Sequence, residues 1–300
     1  MINPPAAGAA RAAIPAATVR VLARIAAEEG GLAIAEDKVD FLVARLAPQL
    51  CRLSLPDFEA YAAHLSQPDA GEARRRFIEA LTTHTTCFFR ETPQFDWLRE
   101  AGLPAMLRSG IGRRGVLDVW SAACSSGQEL YSALMLVASL ADAGEGDLSY
   151  RGIGTDLSRA VLARAERAVY EREEISGIPL ELRRRFLLSG RGNADLFRVS
   201  PEIRKRSRWQ RANLVRSEDL SGIRADLAFL RNVLIYFDQQ TRHRVLLNVV
   251  ARIKPGGVLL TGHSESIDPA RYGLAAVRPS VYRKSKEVRD GPTDPRPDRR

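Results

Sequence analysis

Apolar positions over residues 18–109 recur at helical spacing. Val19, Leu22, Ala23 and Ile25 share one face of a run that stops at Gly30-Gly31, where glycine allows the left-handed turn that ends a helix. Val39, Leu42, Val43 and Leu46 repeat the spacing after Glu36-Asp37, and Phe58, Tyr61, Ala62 and Leu65 follow a start at Pro56-Asp57. Phe77, Leu81 and Phe88 continue a fourth helix, so the stretch predicts a small helical domain.

From Val116 the pattern switches to short apolar runs separated by amphipathic ones. Val116–Trp120 predicts a strand, Glu129–Ala141 its helix, Tyr150–Thr155 a second strand ending at Asp156, and Ser158–Tyr170 a second helix. Leu227–Leu230 forms a further strand, and Gln239–Ile253 a helix with Asp238 as N-cap. Pro255-Gly256-Gly257 ends that helix before the strand Val258–Thr261. This alternation predicts an α/β fold, a doubly wound and mostly parallel sheet covered on both faces, over residues 110–283. It breaks at about 173–212, where Phe186-Leu187-Leu188, Gly190-Arg191-Gly192-Asn193 and Leu196–Val199 read as an antiparallel hairpin inserted into the domain. Residues 1–17 and 284–300 read as a disordered lead-in and a disordered, charged, proline-rich tail.

Composition narrows the class. With 45% hydrophobic and 27% charged residues the chain is ordinary for a globular protein. No apolar run reaches the length of a membrane span and the N-terminus lacks a secretory signal, so a cytoplasmic protein without membrane insertion is expected. Three widely spaced cysteines, Cys51, Cys87 and Cys124, form no C-x-x-C pair, which argues against a disulfide framework or a zinc site. The net charge of +9 invites a nucleic-acid reading. The excess is concentrated, however, between Arg183 and Arg211, a stripe that fits an anionic partner or a solvated surface equally well.

Ligands of an open parallel sheet bind beyond the C-terminal ends of its strands. Four features fall there: the small-residue turn Ser121–Gly127, Asp156, Asn213 and Arg231-Asn232. A carboxylate after the second strand can accept both hydroxyls of a ribose. Taken singly, each has a plainer explanation. Arg90 suits a surface ion pair with Glu91 or Glu100, Asp156 a helix cap, Tyr236 packing under the sheet, and Cys124 simple packing in a tight turn.

Five ordered segments together resemble the bacterial chemotaxis receptor glutamate methyltransferases, the CheR family. They are Thr82–Glu91, Trp120–Glu129, Gly154-Thr155-Asp156, Arg231–Phe237 and Lys254-Pro255-Gly256-Gly257 through Gly262-His263-Ser264-Glu265-Ser266. The resemblance implies a class I S-adenosylmethionine-dependent methyltransferase fold. It also implies S-adenosylmethionine as cofactor, held by His84, Thr86, Arg90, Glu129, Asp156, Asn213, Leu214, Arg231 and Asn232, with Arg90 and Tyr236 in catalytic roles and no metal. The expected partners are methyl-accepting chemotaxis receptors, through their cytoplasmic domain and a C-terminal peptide added to the β insert; no nucleic acid is expected. Two positions depart from the family pattern: His84 replaces an asparagine, and Gly127-Gln128-Glu129 replaces G-E-E. The competing readings are a cofactor-binding signalling module without turnover and a nucleic-acid methyltransferase.

Overall fold

The computed structural model describes residues 14–112, 115–142, 148–190 and 192–286. Arg191, in the glycine-rich connection, and most of the expected lead-in and tail lie outside the described residues. The lead-in is shorter than the composition suggested: Ile14 is buried and the first helix starts at Ala16.

Four helices, α1 (Ala16–Gly30), α2 (Val39–Leu53), α3 (Phe58–Ser66) and α4 (Gly71–Leu81), form the bundle. Their apolar faces meet in a core of Leu22, Leu42, Leu46, Tyr61, Leu65 and Phe77. α1 ends where Gly31 takes φ 70°, and Asp57 caps α3 by accepting from the Ala60 amide at 2.8 Å. The bundle ends sooner than the periodicity implied. Thr82 is extended, and Phe88 sits edge-to-face on Tyr170, 4.9 Å between centroids, in the core of the sheet domain. α5 (Thr92–Trp97), a π-helical turn (Leu98–Gly102) and α6 (Leu103–Arg108) bury Phe95, Leu98, Leu103 and Met106 in that same core. Helical spacing marks these side chains as buried but does not say against which neighbour.

The sheet domain then runs β1 (Leu117–Ala122), α7 (Gln128–Asp142), β2 (Tyr150–Asp156), α8 (Arg159–Arg167), β3 (Val169–Glu171), α9 (Leu180–Phe186), β4 (Leu187–Gly190), β5 (Asn193–Val199), α10 (Pro201–Arg204), β6 (Ser207–Arg211), β7 (Ala225–Leu230), α11 (Gln239–Arg252), β8 (Ile253–Thr261), β9 (Leu274–Arg278) and β10 (Val281–Lys284). The main sheet has the order β6-β2-β1-β7-β8-β10-β9. Its first five strands are parallel, and β10 is antiparallel to both neighbours. β1 and β7 are buried along their whole length, as strands covered on both faces must be.

Three boundaries differ from expectation. The helix drawn to Tyr170 stops at Arg167, because Ala168 adopts φ 55° and turns the chain into β3. The antiparallel insert therefore begins at β3, with order β3-β5-β4, and ends before β6, which returns to the main sheet beside β2. Lys254-Pro255-Gly256-Gly257 lies inside β8 rather than ahead of it, at a register shift opposite β7. A Cβ on Gly257 would stand 2.9 Å from the Lys254 carbonyl and 3.0 Å from that of Asp226, so this irregularity needs glycine.

The second residues of four adjacent strands form a row of charges at the sheet's N-terminal edge. Lys254 Nζ donates to Asp118 at 2.8 Å and to Asp226 at 2.7 Å, Asp226 accepts from the Asp118 amide at 2.9 Å, and Arg151 pairs with Asp118. Burial lowers the Lys254 pKa, but the two carboxylates outweigh it and hold the ammonium above its ordinary value. This stabilisation is therefore fully present below the ordinary lysine range and is lost only as pH rises through the raised value. Lys254→Met should leave two carboxylates facing each other and lower stability by about 2 kcal/mol in urea denaturation. That is less than the ~3–5 kcal/mol of a fully buried pair, since 28% of the lysine side chain is exposed.

Candidate active site

One cleft opens at the C-terminal ends of β6, β2, β1 and β7, where the strand order reverses between β1 and β7. The bundle supplies one of its walls through Leu32, Leu81, Thr82 and Thr83. All ten residues singled out from the sequence line it: His84, Thr86, Arg90, Glu129, Asp156, Asn213, Leu214, Arg231, Asn232 and Tyr236. Their side chains are not all free to meet a ligand.

The turn after β1 is tightly wound. Ala123 and Ser125 take φ 58° and 48°, and Gly127 takes φ 93°. A Cβ on Gly127 would stand 2.7 Å from the Trp209 ring and 2.8 Å from Ala165, so both the backbone and the space exclude a side chain. Asp156, almost wholly buried, accepts from the Ser125 amide at 2.9 Å and the Ser158 amide at 3.0 Å. It thus pins the turn and the entry to α8 together, and each oxygen keeps acceptor capacity on the cleft side. Burial pushes its carboxyl above the usual range, while the Ser158 and Ser125 amides and nearby His84 pull it down. Cys124 is buried, and burial followed by the Asp156 and Glu129 charges pushes its thiol well up, so it packs as a neutral group.

The loop 82–91 and the exit of β7 meet around Arg231. Its side chain is 1% exposed, and its guanidinium reaches Glu91 at 3.1 Å and Glu129 at 3.0 Å. It also donates to the Arg90 carbonyl and lies over the Phe95 ring, 5.6 Å from the centroid. Arg231 therefore organises the cleft floor. Glu129 accepts from the Ser121 hydroxyl at 2.6 Å on its other oxygen; burial raises its pKa, against the pull of Arg231 and Ser121. Burial also raises Glu91, but the guanidinium outweighs it and holds that carboxyl below its usual value.

The surface ion pairs open to Arg90 are both taken: Glu91 binds Arg231, and Glu100 binds Arg99. Phe89 and Glu91, both at positive φ, set the arginine between them. Arg90 donates to the Thr85 carbonyl at 2.9 Å and has no carboxylate partner among the described residues, which leaves a cation at the cleft.

His84 bonds the Thr82 hydroxyl at 2.9 Å through its ring, and its carbonyl accepts from Ser125. Gln128, the other departure, does not line the cleft. It turns towards the insert, where its amide meets Glu174 at 3.5 Å. The Asn213 side chain is also committed, donating to the Glu29 carbonyl at 2.9 Å and accepting from the Val215 amide at 3.0 Å. It ties the end of α1 to the loop after β6, and Leu214 lies beside it on the cleft wall. Tyr236 faces the cleft from a short 3-10 turn, with its carbonyl bonded to Ala33 at 2.9 Å. Glu265, which the sequence offers only as part of the motif Gly262–Ser266 and with no role of its own, is a fully buried carboxylate that folds back onto the β7 exit. Its motif was visible, but no spacing rule joins the end of β8 to a loop thirty residues earlier.

The lining sets Glu129 and Asp156 against Arg231 and Arg90, and Glu91, outside the lining, holds Arg231 as well. Such a floor suits a ligand with hydroxyls and positive charge better than a polyanion. Among the described residues no group of three or more His, Cys, Asp or Glu is placed to hold a metal ion.

Comparison with known proteins identifies the family. The family model described as "CheR methyltransferase, SAM binding domain" matches residues 84–279. Chemotaxis protein methyltransferase 2 of Pseudomonas aeruginosa is 36% identical over 84% of this chain and 87% of its own. The chemotaxis protein methyltransferase of Klebsiella aerogenes is 33% identical over 89% of each chain. That of Escherichia coli is 32% identical over 92% of this chain and 94% of its own. The matched segment covers well over half of the chain and most of its sheet, and the chain belongs to the CheR methyltransferase family.

Proposed function

We propose that this chain transfers the methyl group of S-adenosylmethionine to glutamate side chains of chemotaxis receptors, forming glutamyl methyl esters that tune adaptation. The observation that carries the reading is the cleft itself: two buried carboxylates at the switch point of the sheet, largely within the segment matched by the family model, beside an arginine with no carboxylate partner among the described residues.

In this reading Asp156 holds the ribose hydroxyls and Glu129 the amino group of the cofactor. His84, Thr86, Leu214 and Asn232 shape the remaining walls, while Asn213 and Arg231 act chiefly by fixing their neighbours. When bound, S-adenosylmethionine supplies a methyl group on a sulfonium cation. A receptor glutamate is already anionic near neutral pH, its reference pKa being about 4.3, so no general base is needed. The protein's task is to align that carboxylate and exclude water, an orientation effect worth roughly 7–11 kcal/mol. Arg90 steers the carboxylate or the cofactor's own carboxylate, and Tyr236 orients the acceptor by a hydrogen bond. The partner is the cytoplasmic part of the receptor; no described helix is long and apolar enough to cross a membrane.

The β insert offers a second contact. In the order β3-β5-β4 the outer edge of β4 is unpaired among the described residues, and the strand carries half-exposed Leu188. A receptor C-terminal peptide adding there as a strand would meet main-chain donors and acceptors beside exposed Arg198.

The decisive assay follows tritium from the cofactor's methyl group into receptor protein. Label released as methanol by alkali is the expected result, and base-stable label in RNA would overturn the reading. Asp156→Ala should weaken S-adenosylmethionine binding by roughly 1.5–3 kcal/mol in calorimetry, through loss of a charge-assisted contact. Unchanged affinity in the folded variant would remove Asp156 from the site. Arg90→Ala should keep the fold and lose most turnover at saturating cofactor and receptor, because water does not replace a fixed cation in the same geometry. Reversing Arg191 and Arg198 to Glu should weaken receptor binding while sparing cofactor affinity. Titration of full-length and C-terminally truncated receptors with both forms checks this, and equal affinity in all four combinations would exclude tethering through the insert.

A further inference from the structure

The Glu265 carboxylate is fully buried and forms no salt bridge among the described residues. Three backbone amides hold it instead. Oε2 accepts from Asn232 at 2.6 Å and from Gly262 at 2.9 Å, and Oε1 accepts from Leu234 at 2.7 Å. A carboxylate without a countercharge is expensive to bury, and it persists where convergent donors satisfy it.

Two of those amides belong to the exit of β7. Asn232 there takes φ 56°, a left-handed conformation that asparagine tolerates better than most side-chain-bearing residues, and the Glu265 carboxylate holds its amide in place. Leu234 opens the single 3-10 turn that carries Tyr236. The segment has no strand or α-helix to define it, yet Asn232, Val233 and Tyr236 all line the cleft. Its third donor, Gly262, fits only because it lacks a side chain. A Cβ there would stand 2.5 Å from Glu265 Oε2 and 3.0 Å from Asn232 Nδ2.

We infer that Glu265 is a positioning residue for methyl transfer: from the end of β8 it fixes the β7 exit loop so that Asn232 and Tyr236 stand correctly in the cleft. The inference rests on the functional reading above. A neutral amide cannot substitute, because three donors converge on two oxygens and the NH₂ group of a glutamine would face at least one backbone N–H.

Two variants test this, E265Q and G262A; the second leaves the carboxylate intact but pushes it off its donors. S-adenosylmethionine affinity by calorimetry and turnover at saturating cofactor are measured well below each variant's melting temperature, where a purely stabilising residue would move neither. Both variants should bind the cofactor roughly tenfold or more weakly and turn over roughly tenfold or more slowly. Wild-type affinity and turnover in folded E265Q, whatever its melting temperature, would overturn the inference. Should E265Q fail to fold, G262A decides by the same criterion. Wild-type protein run alongside separates the two levels of argument: if it does not bind S-adenosylmethionine, the functional reading itself falls, and this inference with it.

Discussion

A guanidinium taken out of water must have its charge balanced, and Arg231 meets that demand through its two terminal nitrogens with two carboxylates and a backbone carbonyl from different parts of the chain, while its buried Nε has no partner among the described residues. Glu91 comes from the loop after the bundle, Glu129 from the first turn of α7, and Arg231 itself from the end of β7. Removing either carboxylate would leave a buried charge short of a partner, an imbalance that typically costs about 3–5 kcal/mol. The pairing therefore locks three loops into one arrangement before any ligand arrives. It also decides which charges remain at the cleft, because a Glu91 held by Arg231 cannot neutralise Arg90.

Backbone strain gathers around the same place. Phe89, Glu91, Ala123, Ser125 and Asn232 all take positive φ without being glycine, and all lie on the loops that form the cleft. All but Ala123 are held by bonds from outside their own segment: Ser125 by Asp156, Asn232 by Glu265, and the 89–91 corner by Arg231 and by Ser132, whose hydroxyl accepts from the Phe89 amide. Strain of this kind persists only where neighbours over-determine it. Here the over-determination builds a preformed site, with little rearrangement left for the moment of binding.

The two ends of the parallel sheet divide the work. At the N-terminal edge Arg151, Asp118, Asp226 and Lys254 neutralise one another across four strands and contribute stability. At the C-terminal edge the carboxylates are only partly balanced, which leaves a field for a cationic, hydroxyl-bearing cofactor. The bundle reaches that edge through Asn213, Ala33 and Arg159, whose amide bonds Glu79. The cleft wall is thus shared between two structural units.

Local pattern and ordered motifs in the sequence determined the alternation of strands and helices, the parallel sheet, the family, and the ten residues that line one cleft. That information is local: the period of apolar residues records burial, and small residues after a strand record close approach. Tertiary structure alone decided where the bundle ends, since Phe88 and Phe95 have helical spacing but pack on the sheet. It likewise decided that β3 begins just after Ala168, a left-handed turn with no glycine to announce it. It bonded the Arg231 guanidinium and the Asn213 amide to distant parts of the chain, and set the Glu265 carboxylate on the backbone amides of a cleft loop. In each case the deciding partner lies far along the chain, and hydrogen bonds or ion pairs between distant segments leave no periodic trace in a single sequence.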